Sequence, residues 1–195
     1  MRAAAFVLVG GRSSRMGRDK ALLRCNSRPL VEDVAVKAAS IAGSVTLIGR
    51  PERYSDLGFD CLPDLRSGLG PLAGIEAALD SGRGELNLVL ACDMPGLERD
   101  WLSRLLSQAR RTNALCLACR DESGMLHPLC AVYRSACLPF VRRALDARRL
   151  KLLDLLGELD AASLEIPHKI SNLNTPREWA AWQHVGKAAG AADGN

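Results

Sequence analysis

The chain has 195 residues, 48% of them hydrophobic and 25% charged, which suits one soluble domain around a single core and leaves too little for two independent ones. Its net charge of +4 comes from 26 basic residues, 21 of them Arg, scattered rather than clustered, and only 4% of residues are aromatic; stacking platforms for nucleic acid are therefore excluded, while an anionic ligand such as a phosphate ester fits. No apolar stretch approaches the roughly 20 residues of a membrane span, the N-terminal apolar run lacks signal-peptide features, and seven cysteines set among apolar neighbours read as reduced core thiols, so a cytoplasmic protein is expected.

In chain order, residues 3–9 form an apolar run that predicts a first strand, buried on both faces. A Gly-rich loop leads to Lys20, and helical spacing follows over 29–42, with Pro29 where a first-turn proline is tolerated. Val45–Ile48 predicts a strand, Pro71–Asp80 a helix opened by Pro71, Leu86–Ala91 a strand, 99–110 a helix, 114–118 a strand and 135–147 a helix. Thr175 as N-cap, Pro176 at the first helical position and Glu178 at N3 announce a last helix over 175–185, docked by Trp179 and Trp182. The tail 186–195, rich in Gly and Ala, has little to bury and is expected to be disordered, leaving one domain over 1–185. Alternation of this kind implies βαβ units: an α/β fold, a three-layer, Rossmann-like, mostly parallel sheet with helices on both faces and a ligand crevice outside the carboxyl ends of its strands.

The loop after the first strand reads Gly10-Gly11-Arg12-Ser13-Ser14-Arg15-Met16-Gly17-Arg18-Asp19-Lys20. Glycines let backbone N–H groups approach a polyphosphate, and Arg15 and Lys20 supply positive charge where negative charge is present or develops. A Walker loop would place Lys and a hydroxyl directly after the second glycine, whereas Gly17 is followed by Arg18, and no G-x-G-x-x-G occurs. A plain strand-to-helix turn with solvated arginines is the competing reading. Asp93, directly after the strand Leu86–Ala91, sits where a carboxylate can hold Mg²⁺ against a triphosphate, or, more simply, where an aspartate caps a turn.

Taken as one string, Leu8-Val9-Gly10-Gly11-x-Ser13-x-Arg15-Met16-Gly17-x-Asp19-Lys20 resembles the signature loop of the molybdenum cofactor guanylyltransferases. These belong to the nucleotidyltransferases with the nucleotide-diphospho-sugar transferase, or glycosyltransferase-A-like, fold. The family usually has Ala where this chain has Val9. The resemblance continues at Pro63-Asp64, at Gly68-Leu69-Gly70-Pro71-Leu72-Ala73-Gly74, at Cys92-Asp93-Met94-Pro95, at Leu126-His127-Pro128-Leu129 and at Ser171-Asn172-Leu173-Asn174-Thr175-Pro176.

It implies transfer of GMP from GTP to the terminal phosphate of molybdopterin or Mo-molybdopterin, with release of pyrophosphate and with Mg²⁺ as cofactor. Arg15, Lys20 and Asp93 would be catalytic, with Asp93 on the metal. Leu8, Val9, Gly10, Gly11, Asp64, Gly70 and Pro71, with Lys20 and Asp93, would bind the nucleotide, and His127, Asn172 and Asn174 would lie near the second substrate. Molybdoenzymes or cofactor-insertion proteins would receive the product. Cytidylyltransferases and sugar-phosphate nucleotidyltransferases share the loop but usually have Ala-Ala or Ala-Gly in place of Gly10-Gly11; a non-catalytic protein that delivers the cofactor is the alternative of another class. Relatives often place a base-contacting asparagine near Gly49-Arg50-Pro51, and none stands there. Cys116-x-x-Cys119 has no second pair at zinc-finger distance and reads as packing. Arg142, Arg143, Arg148, Arg149 and Lys151 read as a solvated helix face.

Overall fold

The computed structural model describes residues 1–10, 19–25, 28–170, 172–173 and 177–179. Gly11, Arg15 and Asn174, the capping residues Thr175 and Pro176, Trp182 and the tail 186–195 lie outside the described residues.

Strand β1 (Ala3–Leu8) precedes a small ribbon of β2 (Arg24–Cys25) and β3 (Arg28–Pro29), then α1 (Leu30–Ala42), β4 (Val45–Ile48), the one-turn α2 (Pro51–Tyr54) and β5 (Asp60–Leu62). There follow α3 (Pro71–Asp80), β6 (Leu86–Ala91), α4 (Arg99–Arg111), β7 (Cys116–Arg120), β8 (Leu126–Arg134), α5 (Leu138–Asp146), α6 (Leu152–Glu158) and β9 (Ala162–Glu165). Among the described residues seven strands form one sheet in the order β5-β4-β1-β6-β8-β7-β9. β5, β4, β1 and β6 pair in parallel, and β8 runs against both of its neighbours. The expected mostly parallel α/β sheet is present, and its order reverses at β1. The crevice at such a reversal, at the strands' carboxyl ends, is where ligands bind in open α/β sheets.

β1 is buried on both sides, as its run of apolar residues predicts. Ala5, Val7 and Val9 pack with α1 and α4 residues such as Val31, Val34, Trp101 and Leu105, while Ala4, Phe6 and Leu8 pack with α3 and α5 residues such as Leu72, Ile75 and Val141. Period-two alternation therefore divides one strand between two cores. Helix α1 matches by burying Leu30, Val31, Val34, Ala35 and Ala38, a stripe at helical spacing. Helix α3 approaches β1 so closely that a Cβ on Gly74 would stand 2.9 Å from Leu8 Cδ2, which only glycine avoids without displacing that side chain.

Several boundaries differ from the sequence expectation: β1 ends at Leu8 rather than at residue 9, Pro29 stands in β3 ahead of α1 rather than in its first turn, and α4 runs one residue further, to Arg111. The strand expected at 114–118 runs Cys116–Arg120, and the helix expected over 135–147 divides into a 3-10 turn, Ser135–Cys137, and α5. β5, β9 and α6 were not predicted, nor was β8 beyond its entry motif, whose Pro128 is unusual inside a strand. Pairing explains how that proline is tolerated. The β7–β8 register shifts between Ala118 and Cys119, whose partners are Ala131 and His127, and β6 pairs with β8 only as far as Cys130. Pro128 thus falls in the irregularity, where no ladder bond is required of it.

The thiols of Cys116 and Cys119 belong to opposite cores, one on each side of the sheet, so they do not face a common ligand. The basic cluster is not simply solvated. Arg143 and Arg149 both pair with Glu158, and Arg142 pairs with Asp80 and Glu76. No helix among the described residues is long and apolar enough to cross a membrane.

Candidate active site

Parallel pairing of β1 with β6, ending at Leu8 opposite Ala91, carries Val9 and Gly10 out beside Cys92 and Asp93. The Cys92 N–H still donates to the Leu8 carbonyl at 3.4 Å, and the Val9 N–H to Ile48 at 2.8 Å. Asp93 meets Lys20 there, Nζ to Oδ2 at 3.6 Å, with side chains 18% and 21% exposed. Burial raises the Asp93 carboxyl above its ordinary range, and Lys20 draws it part of the way back. The loop after β1 and the aspartate after β6, 73 residues apart in sequence, therefore form one charged pair at the reversal of the sheet.

Lys20 opens a 3-10 turn, Lys20–Leu22, capped by Asp19, whose carboxylate accepts the Ala21 N–H at 3.1 Å. The same carboxylate accepts the Tyr54 hydroxyl at 2.8 Å and lies 3.6 Å from Arg53 Nη1. Tyr54 is 1% exposed, and burial together with Asp19 raises its pKa, so the phenol stays a donor. Sequence reading assigned no role to Asp19 or Tyr54. The signal available was a lone tyrosine in the short turn after β4, in the segment that lacks the asparagine of relatives.

On the far side of Asp93 its carbonyl accepts the Leu173 N–H at 2.9 Å. The adjacent Asn172 carries a buried side-chain oxygen, Oδ1, with no hydrogen-bond partner among the described residues. A carboxylate and an unsatisfied amide oxygen so placed are hard oxygen donors of the type a small divalent cation takes, with phosphate and water completing its shell. Among the described residues no group of three or more His, Cys, Asp or Glu converges.

The second arm of the site is the turn from β5 into α3. Gly70 holds φ 69° and ψ −159° immediately before Pro71, a backbone region open to glycine, so the chain turns sharply and α3 starts at the carboxyl edge of the sheet. Asp64 is solvent-exposed, yet the protein packed about it raises its carboxyl. A Cβ on Gly74 would lie 3.5 Å from Asp64 Oδ1 as well as against Leu8. Leu8, Asp64 and Gly74 thus meet at one place.

Thus Leu8, Val9, Gly10, Lys20, Asp93 and Asn172 gather at the ends of β1 and β6, and Asp64, Gly70 and Pro71 flank them through α3. His127 is different. It is 4% exposed, and Nε2 lies 2.8 Å from Asp121 Oδ2. Asp121 also accepts the Ser123 hydroxyl at 2.5 Å and the Ser123 and Met125 N–H groups at 3.0 and 3.1 Å. Burial alone would raise the Asp121 carboxyl, but these donors together hold it well below the usual carboxylate range. A cavity of about 490 Å³ over α4, lined by Ser103, Arg104, Ser107, Gln108, Arg111 and Leu164, includes none of these residues.

Residues 5–162 match the family described as MobA-like NTP transferase domain. The chain is 33% identical over 168 residues to the probable molybdenum cofactor guanylyltransferase of Flavobacterium johnsoniae, covering 86% of this chain and 84% of that one. It is 35% identical over 187 residues to the molybdenum cofactor guanylyltransferase of Rhodobacter capsulatus, covering 92% and 94%. The crystal structure of molybdopterin-guanine dinucleotide biosynthesis protein A from Archaeoglobus fulgidus superposes with a TM-score of 0.80 at 23% identity, covering 95% of this chain and 99% of that one. A matching family over most of the chain, relatives of this similarity and a sheet of this order have one meaning: the chain belongs to the MobA-like nucleotidyltransferases and, among them, to the molybdenum cofactor guanylyltransferase family.

Proposed function

We propose that the enzyme transfers GMP from GTP to the terminal phosphate of molybdopterin, in its molybdenum-loaded form, making the guanine dinucleotide cofactor and pyrophosphate. The observation that carries this reading is the Lys20–Asp93 pair at 3.6 Å, set at the reversal of the sheet beside the turn into α3. An acceptor phosphate oxygen attacks the α-phosphorus in line; a new P–O bond forms as the bond to the β-phosphate oxygen breaks, and pyrophosphate departs with that electron pair. Both attacking and leaving groups are already anions, so placement and charge stabilisation suffice without a nucleophilic side chain.

Lys20, with Arg15, holds the triphosphate and stabilises charge moving onto the leaving pyrophosphate. Leu8, Val9, Gly10 and Gly11 line the nucleotide's path with backbone, while Asp64, Gly70 and Pro71 seat the nucleoside. Asp93 and the Asn172 amide oxygen hold Mg²⁺, which when bound screens the phosphate charges from one another. Asn174 and His127 serve the acceptor side, His127 from its buried seat against Asp121. The reaction is placed in the cytoplasm, with molybdoenzymes or cofactor-insertion proteins as recipients.

The test is Mg²⁺-dependent pyrophosphate release from purified protein with molybdenum-loaded molybdopterin, comparing GTP, CTP, ATP and UTP. Release with GTP alone is expected. Release with CTP in place of GTP moves the enzyme to the cytidylyl branch, and the absence of release with any of the four triphosphates overturns the proposal.

A further inference from the structure

Residues 72–79 of α3 are all buried, and seven of the eight are apolar or glycine. The exception is Glu76, 2% exposed. Among the described residues the only buried carboxylates are Glu76 and Asp121, and Asp121 is accounted for by the turn it ties together. Glu76 is met by two guanidinium groups: Arg66 Nε lies 3.0 Å from Oε2, and Arg142 Nε lies 3.5 Å from Oε1. Among the described residues Oε2 has no donor in hydrogen-bonding geometry, so charge attraction is what holds Arg66 to it.

Arg66 belongs to the turn that carries Asp64 and Gly70, and its Nη1 reaches Asp146 of α5 at 2.5 Å. Arg142 stays on α5 and turns its Nη2 to Asp80 at 2.6 Å. Glu76 is therefore linked to the turn through Arg66 and to α5 through Arg142. Burying a carboxylate is costly, and a well-packed apolar residue at such a position is often as stabilising as the ion pair or more so. A charge here does what a leucine could not: it fixes the guanidinium of Arg66, and with it the backbone between Asp64 and Gly68.

We infer that Glu76, acting through Arg66, is a positioning residue that sets the nucleoside-seating turn 63–70, and so governs affinity for GTP and choice of base more than the rate of transfer. This rests on the nucleotidyltransferase reading given above, in which that turn seats the nucleoside.

The experiment uses the full chain and reads GTP dissociation constants by calorimetry, alongside steady-state kinetics, for the wild type, Arg66→Ala, Glu76→Gln and Arg142→Ala. Arg66→Ala is expected to weaken GTP binding and raise KM by about tenfold, more than kcat falls, and to narrow the preference for GTP over ATP. Glu76→Gln shifts the same quantities in the same direction, and Arg66→Ala carries the test should that variant fold poorly. Arg142→Ala lowers Tm but leaves GTP affinity within about twofold. A wild type that binds GTP together with an Arg66→Ala variant that binds it equally well overturns this inference alone. A wild type that binds no GTP overturns the functional reading and this inference with it.

Discussion

Tyr54 and Asp19, 35 residues apart in sequence, share a hydrogen bond of 2.8 Å from phenol to carboxylate, and through it the segment after β4 holds the end of the loop that follows β1. The same carboxylate caps the turn that begins with Lys20. Tyr54→Phe keeps the buried ring and removes only this donor. A lost hydrogen bond to a charged acceptor costs about 1.5–3 kcal/mol, and the Ala21 N–H and Arg53 remain to compensate in part, so the lower end is expected by denaturant unfolding. With its support loosened, Lys20 is less well placed, and kcat/KM for GTP is expected to fall by about tenfold.

Lys20→Ala and Asp93→Asn are each expected to lower turnover by about 10²–10³-fold while the chain stays folded. For Asp93→Asn the melting temperature should hold or rise. Burial raises the carboxyl in the folded state, so the folded protein binds the proton more tightly than the unfolded chain, and stability is lost as pH rises through the folded value. At neutral pH the neutral amide removes that cost. An Asp93→Asn protein that turns over normally, or that melts well below the wild type, contradicts the assignment.

Gly74→Ala forces a methyl to within 2.9 Å of Leu8 Cδ2 and 3.2 Å of Cδ1. Overpacking of this kind costs about 1–3 kcal/mol, and because Asp64 Oδ1 lies 3.5 Å from the same point, GTP affinity should fall too. Leu8→Ala makes room for the added methyl. The double variant should therefore be less destabilised than the sum of the two single changes, a coupling measured by a double-mutant cycle.

Asp121 gives the opposite pH signature to Asp93. Four donors favour its ionised form in the fold, so its contribution is present above the ordinary carboxylate pKa of about 3.9 and is lost as pH falls below that toward the lowered folded value. Asp121→Asn should cost about 2–3 kcal/mol near neutrality and flatten the acid limb of a plot of Tm against pH.

The parts of the fold legible in sequence were those whose burial is periodic or continuous. Val45–Ile48, Leu86–Ala91 and Pro71–Asp80 stand at their predicted limits, because a doubly buried strand is marked along its length by its apolar run and Pro71 marks the start of its helix. β5 and β9 read Asp60-Cys61-Leu62 and Ala162-Ser163-Leu164-Glu165, polar and apolar residues mixed without a continuous apolar run, and β8 carries a proline at its third residue. The components of the site were readable as a string of residue types, and their meeting was not. Nothing in the spacing of Lys20 and Asp93 states that β1 and β6 are neighbours. Tyr54 with Asp19, and Glu76 with Arg66, depend on packing between distant segments and leave no local trace. The arginines of α5 looked solvated because their partners Asp80 and Glu158 lie elsewhere in the chain.

Because the residues of β1, with Val9 directly after it, alternate between the two cores, Ala5, Val7 and Val9 into one and Ala4, Phe6 and Leu8 into the other, neither helical layer can melt and leave the other intact. Withdrawing β1 from one layer strips its opposite face from the second in the same event. The expected consequence is cooperative: loss of helix by far-ultraviolet circular dichroism, exposure of Trp101 by fluorescence and loss of GTP affinity should follow a single superimposable transition in urea.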